Sequence, residues 1–100
     1  MIRHKFNAVA VKRDGHHFPS KKEAAYYDSL VMAQKAGLVL FFLRQVPFHL
    51  PGGGKMVIDF QVFYADGTVQ FIDAKGMLTK DWKAKRKIVE ALYPVKIRTV

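Results

Sequence analysis

Met56-Val57-Ile58-Asp59-Phe60-Gln61-Val62-Phe63-Tyr64, then Ala65-Asp66-Gly67, then Thr68-Val69-Gln70-Phe71-Ile72-Asp73-Ala74-Lys75, is the stretch on which the fold turns. Two runs rich in β-branched and aromatic residues flank a short turn signal, which reads as an antiparallel hairpin. Gly67 suits the left-handed position of a three-residue loop. Such a loop pairs residue 64 with residue 68, and counting back from it sets Asp59 directly opposite Asp73. Opposed side chains lie about 5 Å apart on one face of a sheet. A two-residue loop would set Asp59 against Ala74 instead and spoil the consistency of both faces. Lys75, two residues beyond Asp73, falls on the same face as Asp73.

Working outward, residues 20–36 read as a helix. Ser20 followed by Glu23 has the spacing of a capping box, and Gly37 is a natural stop. Ala24, Tyr27, Leu30 and Val31 share one face, with Lys21, Asp28 and Lys35 opposite. Leu38 to Leu43 is a continuous apolar run, expected to be a buried strand that Pro47 interrupts, with Phe48 to Leu50 continuing as an edge. Pro51-Gly52-Gly53-Gly54 is a loop. A second helix is expected from Thr79 or Lys80 to Tyr93, stopped by Pro94, with Val95 to Val100 as a last strand. Upstream, residues 3–13 form a basic arm, and Asp14-Gly15 predicts a turn in a short hairpin ending near Phe18. The expected architecture is one α/β (α+β) domain over residues 1–100 with a basic arm or hairpin over about residues 1–18.

Composition narrows the function. The chain has 100 residues, half of them hydrophobic, enough for one core. It holds no cysteine, so disulfide frameworks and thiolate metal sites are excluded, and a reducing cytoplasm suits it. No apolar run approaches the roughly 18 residues of a membrane span, and Met1-Ile2-Arg3-His4-Lys5 does not open like a signal peptide. Seventeen Lys and Arg against eight Asp and Glu give a net charge of +9, which draws the chain to polyanions, nucleic acid first.

Against that basic background, the acids stand out. Asp59 and Asp73 lie inside strand-like runs, where aspartate is depleted and a buried charge is costly. A divalent cation between them would turn repulsion into attraction, and hard cations such as magnesium take oxygen ligands. Glu23 falls within the apolar stripe of its helix, at the end that should face the sheet. Each has a plainer reading: Glu23 as the partner of the Ser20 backbone N–H, Asp73 and Lys75 as a surface ion pair, Asp59 as an exposed residue. All three plain readings together would require coincidence in a chain with only eight acids.

At these residues the sequence resembles the PD-(D/E)xK nuclease superfamily. Asp59 matches the first acidic position, although Ile58 and not proline precedes it, and Asp73-Ala74-Lys75 matches the (D/E)xK element. Glu23 matches the acid often found on the first helix. More closely, the chain resembles a small phage-borne branch catalogued as a domain of unknown function. That likeness runs through Lys5-Phe6-Asn7-Ala8, Gly15, Phe18, Ser20-Lys21-Lys22-Glu23-Ala24, Gln45, Asp59-Phe60, Asp73-Ala74-Lys75-Gly76 and the basic second helix.

The resemblance implies an αβββαβ core with a central mixed sheet flanked by helices. It implies a Mg²⁺-dependent endodeoxyribonuclease, with Mn²⁺ able to substitute. Asp59, Asp73 and the Ala74 backbone carbonyl would hold the metal, Glu23 would bind through water or hold a second ion, and Lys75 would act on the attacking water or the phosphorus. DNA contacts are expected from Lys80, Lys83, Arg86 and Lys87 of the second helix, from Lys5, Lys12 and Arg13 of the arm, and from Gln45. Lys85 either extends from the core to water or points toward the substrate phosphate. Trp82 is expected in the core in preference to a base-stacking role. The substrate class by analogy is branched DNA in phage replication or recombination, with a homodimer as the natural way to make two cuts, in the host cytoplasm if phage-encoded. The rival readings are a non-catalytic nucleic-acid-binding module of this fold and a basic regulator that binds a protein.

Overall fold

In a computed structural model, residues 10–100 are described. The predicted arm over residues 3–13 lies mostly outside them, Lys5 included. Strands β1 (Val11–Arg13) and β2 (His16–Phe18) form a hairpin. Asp14 and Gly15 take φ of 50° and 80° between them, the paired left-handed conformation of a tight two-residue turn. The Tyr27 hydroxyl donates to Asp14 Oδ2 at 3.0 Å and ties this hairpin to the next element.

Helix α1 (Lys21–Lys35) is N-capped by the Ser20 hydroxyl, which accepts the Glu23 N–H at 3.2 Å. Its last carbonyls are closed by Gly37 at φ 82°, with the Leu38 N–H reaching Ala33 O at 3.0 Å, a Schellman ending. Strand β3 (Val39–His49) follows, then β4 (Lys55–Tyr64), β5 (Val69–Asp73), helix α2 (Lys80–Leu92) and β6 (Ile97–Thr99). The sheet order is β3-β4-β5-β6, with β6 parallel to β5 and the other pairs antiparallel. The described residues are thus α+β, with two helices and a mixed sheet, and their element order after the first hairpin is αβββαβ.

Two expectations about β3 fail. Pro47 does not interrupt it: the strand runs eleven residues and Pro47 sits opposite Val57. Among the described residues β3 is an edge strand with no partner on one side, where a missing N–H costs little. For the same reason the Leu38–Leu43 run is not a buried strand. Leu38, Leu40, Phe41 and Leu43 are all exposed, and Val39 alone in that run is buried. Phe41 stacks on Phe63 of β4 at 4.3 Å, and Val69 of β5 continues the row in register, leaving an apolar strip open to solvent.

The core has two parts. Phe18, Ala24, Tyr27, Leu30, Val39, Phe60, Val62 and Ile72 pack beneath α1. Phe48, Met56, Ile58, Trp82, Val89 and Ile97 pack around α2. They adjoin on β4, where Ile58, Asp59 and Phe60 are buried in succession. A half-covered strand alternates, so three buried neighbours in a row mean that β4 is covered on both faces there. Asp59 stands at that seam.

Candidate functional site

The β4–β5 loop has the three-residue form. The Tyr64 N–H donates to Thr68 O at 2.9 Å, Gly67 takes φ 91°, and Asp66 Oδ1 accepts from both the N–H and the hydroxyl of Thr68. Pairing proceeds in register through Phe63↔Val69 to Phe60↔Ile72. One step further, Asp59 meets Asp73. Here side chains take over from the backbone ladder. The Asp59 N–H donates to Asp73 Oδ1 at 3.0 Å, and the Ala74 N–H donates to Asp59 Oδ2 at 2.8 Å. Each aspartate accepts a backbone donor from the other strand.

The third acid comes from α1. Glu23 does not close a capping box on Ser20. Its side chain turns toward the sheet, where Oε2 accepts from Gln45 Nε2 at 3.2 Å and lies 3.7 Å from the Arg44 guanidinium. The carboxyls of Glu23 and Asp59, and those of Asp59 and Asp73, are close enough to perturb one another's titration. Glu23, Asp59 and Asp73 are 2%, 8% and 0% exposed, so all three carboxyls are removed from water. Lys75, just past the end of β5, brings Nζ to 3.8 Å from Asp73 Oδ2, while its carbonyl accepts from Lys22 Nζ at 3.1 Å.

Such crowding has an electrostatic consequence. Burial, together with the shared hydrogen bond and repulsion from Asp73, pushes the Asp59 carboxyl up to about 8; the Ala74 N–H opposes this and Glu23 adds to it. Burial also raises Glu23, against the pull of its contact with Asp59 and of Arg44 and Lys75. A carboxyl held this far above its ordinary value marks a place where negative charge is short of compensation.

A divalent ion fits that deficit. Among the described residues no group of three or more His, Asp or Glu side chains is arranged to hold a metal ion. Magnesium does not require one: it commonly uses one or two carboxylates and keeps several waters. Asp59 and Asp73 are two adjacent buried carboxylates of that kind. One lone-pair direction on each donor-facing carboxylate oxygen is used by the hydrogen bonds above, and an ionised carboxylate has about four such directions in all.

Trp82 carries a role the sequence reading missed. It is in the core, as expected, and its indole Nε1–H donates to Asp73 Oδ2 at 2.7 Å. That bond anchors α2 to the end of β5. The only available signal was that a buried Trp seeks an acceptor for its N–H. Arg44 was also missed. Its guanidinium lies over the Phe18 ring at 4.2 Å, and its buried Nε has no hydrogen-bond partner among the described residues.

The other anticipated DNA contacts divide. Lys12, Lys80, Lys83 and Lys87 are exposed. Arg13 is engaged by Asp28 at 3.1 Å. Arg86 lies over the Trp82 ring at 5.0 Å. Lys85 is half-buried and pairs with Asp81 one helical turn back, Nζ to Oδ2 3.3 Å, at the solvent side of α2. Gln45 faces Glu23 from the edge strand and is itself exposed.

Asp59 binds its proton more tightly when folded than when unfolded, so its contribution to stability is complete below about pH 4 and is lost as pH rises through about 8. Thermal unfolding in chelator should show a midpoint falling across that window. Asp59→Asn should flatten the fall, and an unchanged profile would remove Asp59 as its source. Trp82→Phe leaves Asp73 without its indole donor and should cost about 1–3 kcal/mol, measurable by urea denaturation. Because Trp82 is the one tryptophan, magnesium titrated into the parental protein should change its fluorescence. A flat titration would argue against an ion at Asp73.

Comparison with curated proteins and with solved structures returned no match. A family model does match, over residues 3–99, nearly the whole chain including every acid of the site. The chain therefore belongs to the family described as "Protein of unknown function (DUF1064)".

Proposed function

We propose that this protein is a metal-dependent DNA endonuclease of the PD-(D/E)xK type, acting on branched or structured DNA in phage replication or recombination. The observation that carries the proposal is the meeting of Asp59 and Asp73 across β4 and β5 with buried Glu23 nearby, between two apolar clusters, and with the partly exposed Lys75 at their edge. The αβββαβ order, with the last strand parallel to β5, is the arrangement expected of that core.

Asp59, Asp73 and the Ala74 carbonyl would hold Mg²⁺ or Mn²⁺, with Glu23 acting through water. When bound, the ion lowers the pKa of a bound water and serves as a Lewis acid toward the phosphate. The chain's own groups do the rest. Lys75 Nζ, 3.8 Å from Asp73, offers N–H donors to a phosphate oxygen or orients the attacking water. Trp82 keeps the Asp73 carboxylate from rotating, and the Ala74 N–H does so for Asp59. Lys80, Lys83 and Lys87 on α2 supply sequence-independent phosphate contacts. One unit offers one such site, and resolving a junction takes two cuts, so a homodimer is part of the proposal.

The lack of a three-side-chain metal group among the described residues favours one other reading, a non-catalytic module that binds nucleic acid through the same fold. A panel of junction, flap, single-stranded and plasmid DNA, with magnesium, manganese or chelator, separates the two. Metal-dependent cutting of branched DNA that Asp73→Ala abolishes is the expected result. Retardation without cutting in either metal would favour the binding module. Asp59→Asn and Asp73→Asn should stop hydrolysis while leaving binding equal or tighter, since each removes negative charge beside the phosphates; cutting at the parental rate by both would displace the site.

Replacing Lys83 and Lys87 together by Gln should lower the slope of log K against log salt by about 2, one for each phosphate no longer neutralised. An unchanged slope would route the DNA elsewhere.

A further inference from the structure

Gln45 takes φ 54° in the interior of a strand, a left-handed conformation that non-glycine residues adopt only under strain. The tight turns of the chain use Gly15, Gly37 and Gly67 at such positions, together with Asp14, a residue type that tolerates them. Gln45 sits within the β3–β4 ladder, between the regular pairs Arg44↔Phe60 and Val46↔Ile58, so the register does not require the kink. Successive residues in a regular strand point to opposite faces. Arg44 and Gln45 do not: both reach Oε2 of Glu23, at 3.7 and 3.2 Å.

We infer that the left-handed kink at Gln45 makes Arg44 and Gln45 a two-residue clamp, which positions the Glu23 carboxylate against Asp59 and Asp73. The inference rests on the nuclease reading and deepens it by adding two positioning residues to the site. Glu23 is buried and comes from a helix, while the aspartates come from the sheet, so a device joining the two layers is needed to hold the three acids together. Arg44 serves as the charged jaw. It is braced on the Phe18 ring, and its NH2 group also donates to the His17 carbonyl at 3.5 Å, which holds the guanidinium beside Glu23. Gln45, exposed at the outer side, is the neutral jaw. Both hold one oxygen of Glu23, leaving Oε1 without a clamp contact.

Gln45→Gly separates a role in the site from a role in the fold. Glycine accepts a positive φ without strain, so this variant should melt at or above the parental temperature. Its cutting rate should nevertheless fall about 10-fold, with more Mg²⁺ needed for half-maximal rate and DNA retardation unchanged. Arg44→Lys, which keeps charge but loses the planar fork, should fall similarly. In the Glu23→Ala background, Gln45→Gly should have no further effect on rate, as expected of residues acting through one another. Parental cutting by Gln45→Gly, or an additional loss in the Glu23→Ala background, would overturn the inference and leave the nuclease reading standing. A second readout needs no activity. The Gln45 side-chain amide resonances should be displaced in the parental protein and return to ordinary positions in Glu23→Ala; resonances that do not move would refute the clamp. If the clamp is seen but the parental protein cuts no DNA in magnesium or manganese, the nuclease reading falls, and the positioning role falls with it.

Discussion

At the end of the β4–β5 ladder, two aspartates take the place of backbone pairing, and the surrounding structure is arranged about that exchange. Asp59 and Asp73 each satisfy a main-chain N–H of the opposite strand, so the strands can part without leaving orphan donors in the core. Each carboxylate is thereby fixed by backbone, which cannot rotate away as a side-chain partner could. The cost is two acids side by side out of water. The chain meets it with the indole N–H of Trp82, the ammonium of Lys75 and a carboxyl on Asp59 that stays protonated to about pH 8.

This junction also explains why the core is in two parts. Ile58 belongs with α2 and Phe60 with α1, and Asp59 lies between them. Trp82 reaches across from α2, and Glu23 reaches across from α1. Both helices are joined to the same spot by polar contacts and to the sheet by apolar ones. Those apolar walls are what make the polar contacts strong, because a low-dielectric surrounding magnifies both attraction and repulsion.

Much of this could be read from the residues. Ala65-Asp66-Gly67 set the hairpin register because a glycine at the left-handed position leaves few loop types to choose from, and the register brought Asp59 to Asp73. Ser20 and Gly37 bounded α1 to within a residue because capping is local chemistry. Misreadings arose where the outcome depended on distant neighbours. A continuous apolar run such as Leu38–Leu43 carries no mark of whether a second strand or helix covers it, and on an edge it stays open. Pro47 looked disruptive because its tolerance depends on edge position. The kink at Gln45, the indole bond of Trp82 and the pairing of Lys85 with Asp81 depend on atoms brought close only by folding. The family match covers the residues of the acid cluster without assigning them any chemistry.

The open strip that crosses β3, β4 and β5, with Phe41 stacked on Phe63 and Val69 beside it, has a consequence for handling the protein. An uncovered apolar patch invites self-association, which charge commonly opposes. The chain-wide excess of positive charge opposes such association. Mutual repulsion of this kind weakens as ionic strength shortens the Debye length. The colloidal stability of concentrated samples is therefore set by electrolyte, and dilute buffers keep the molecules apart.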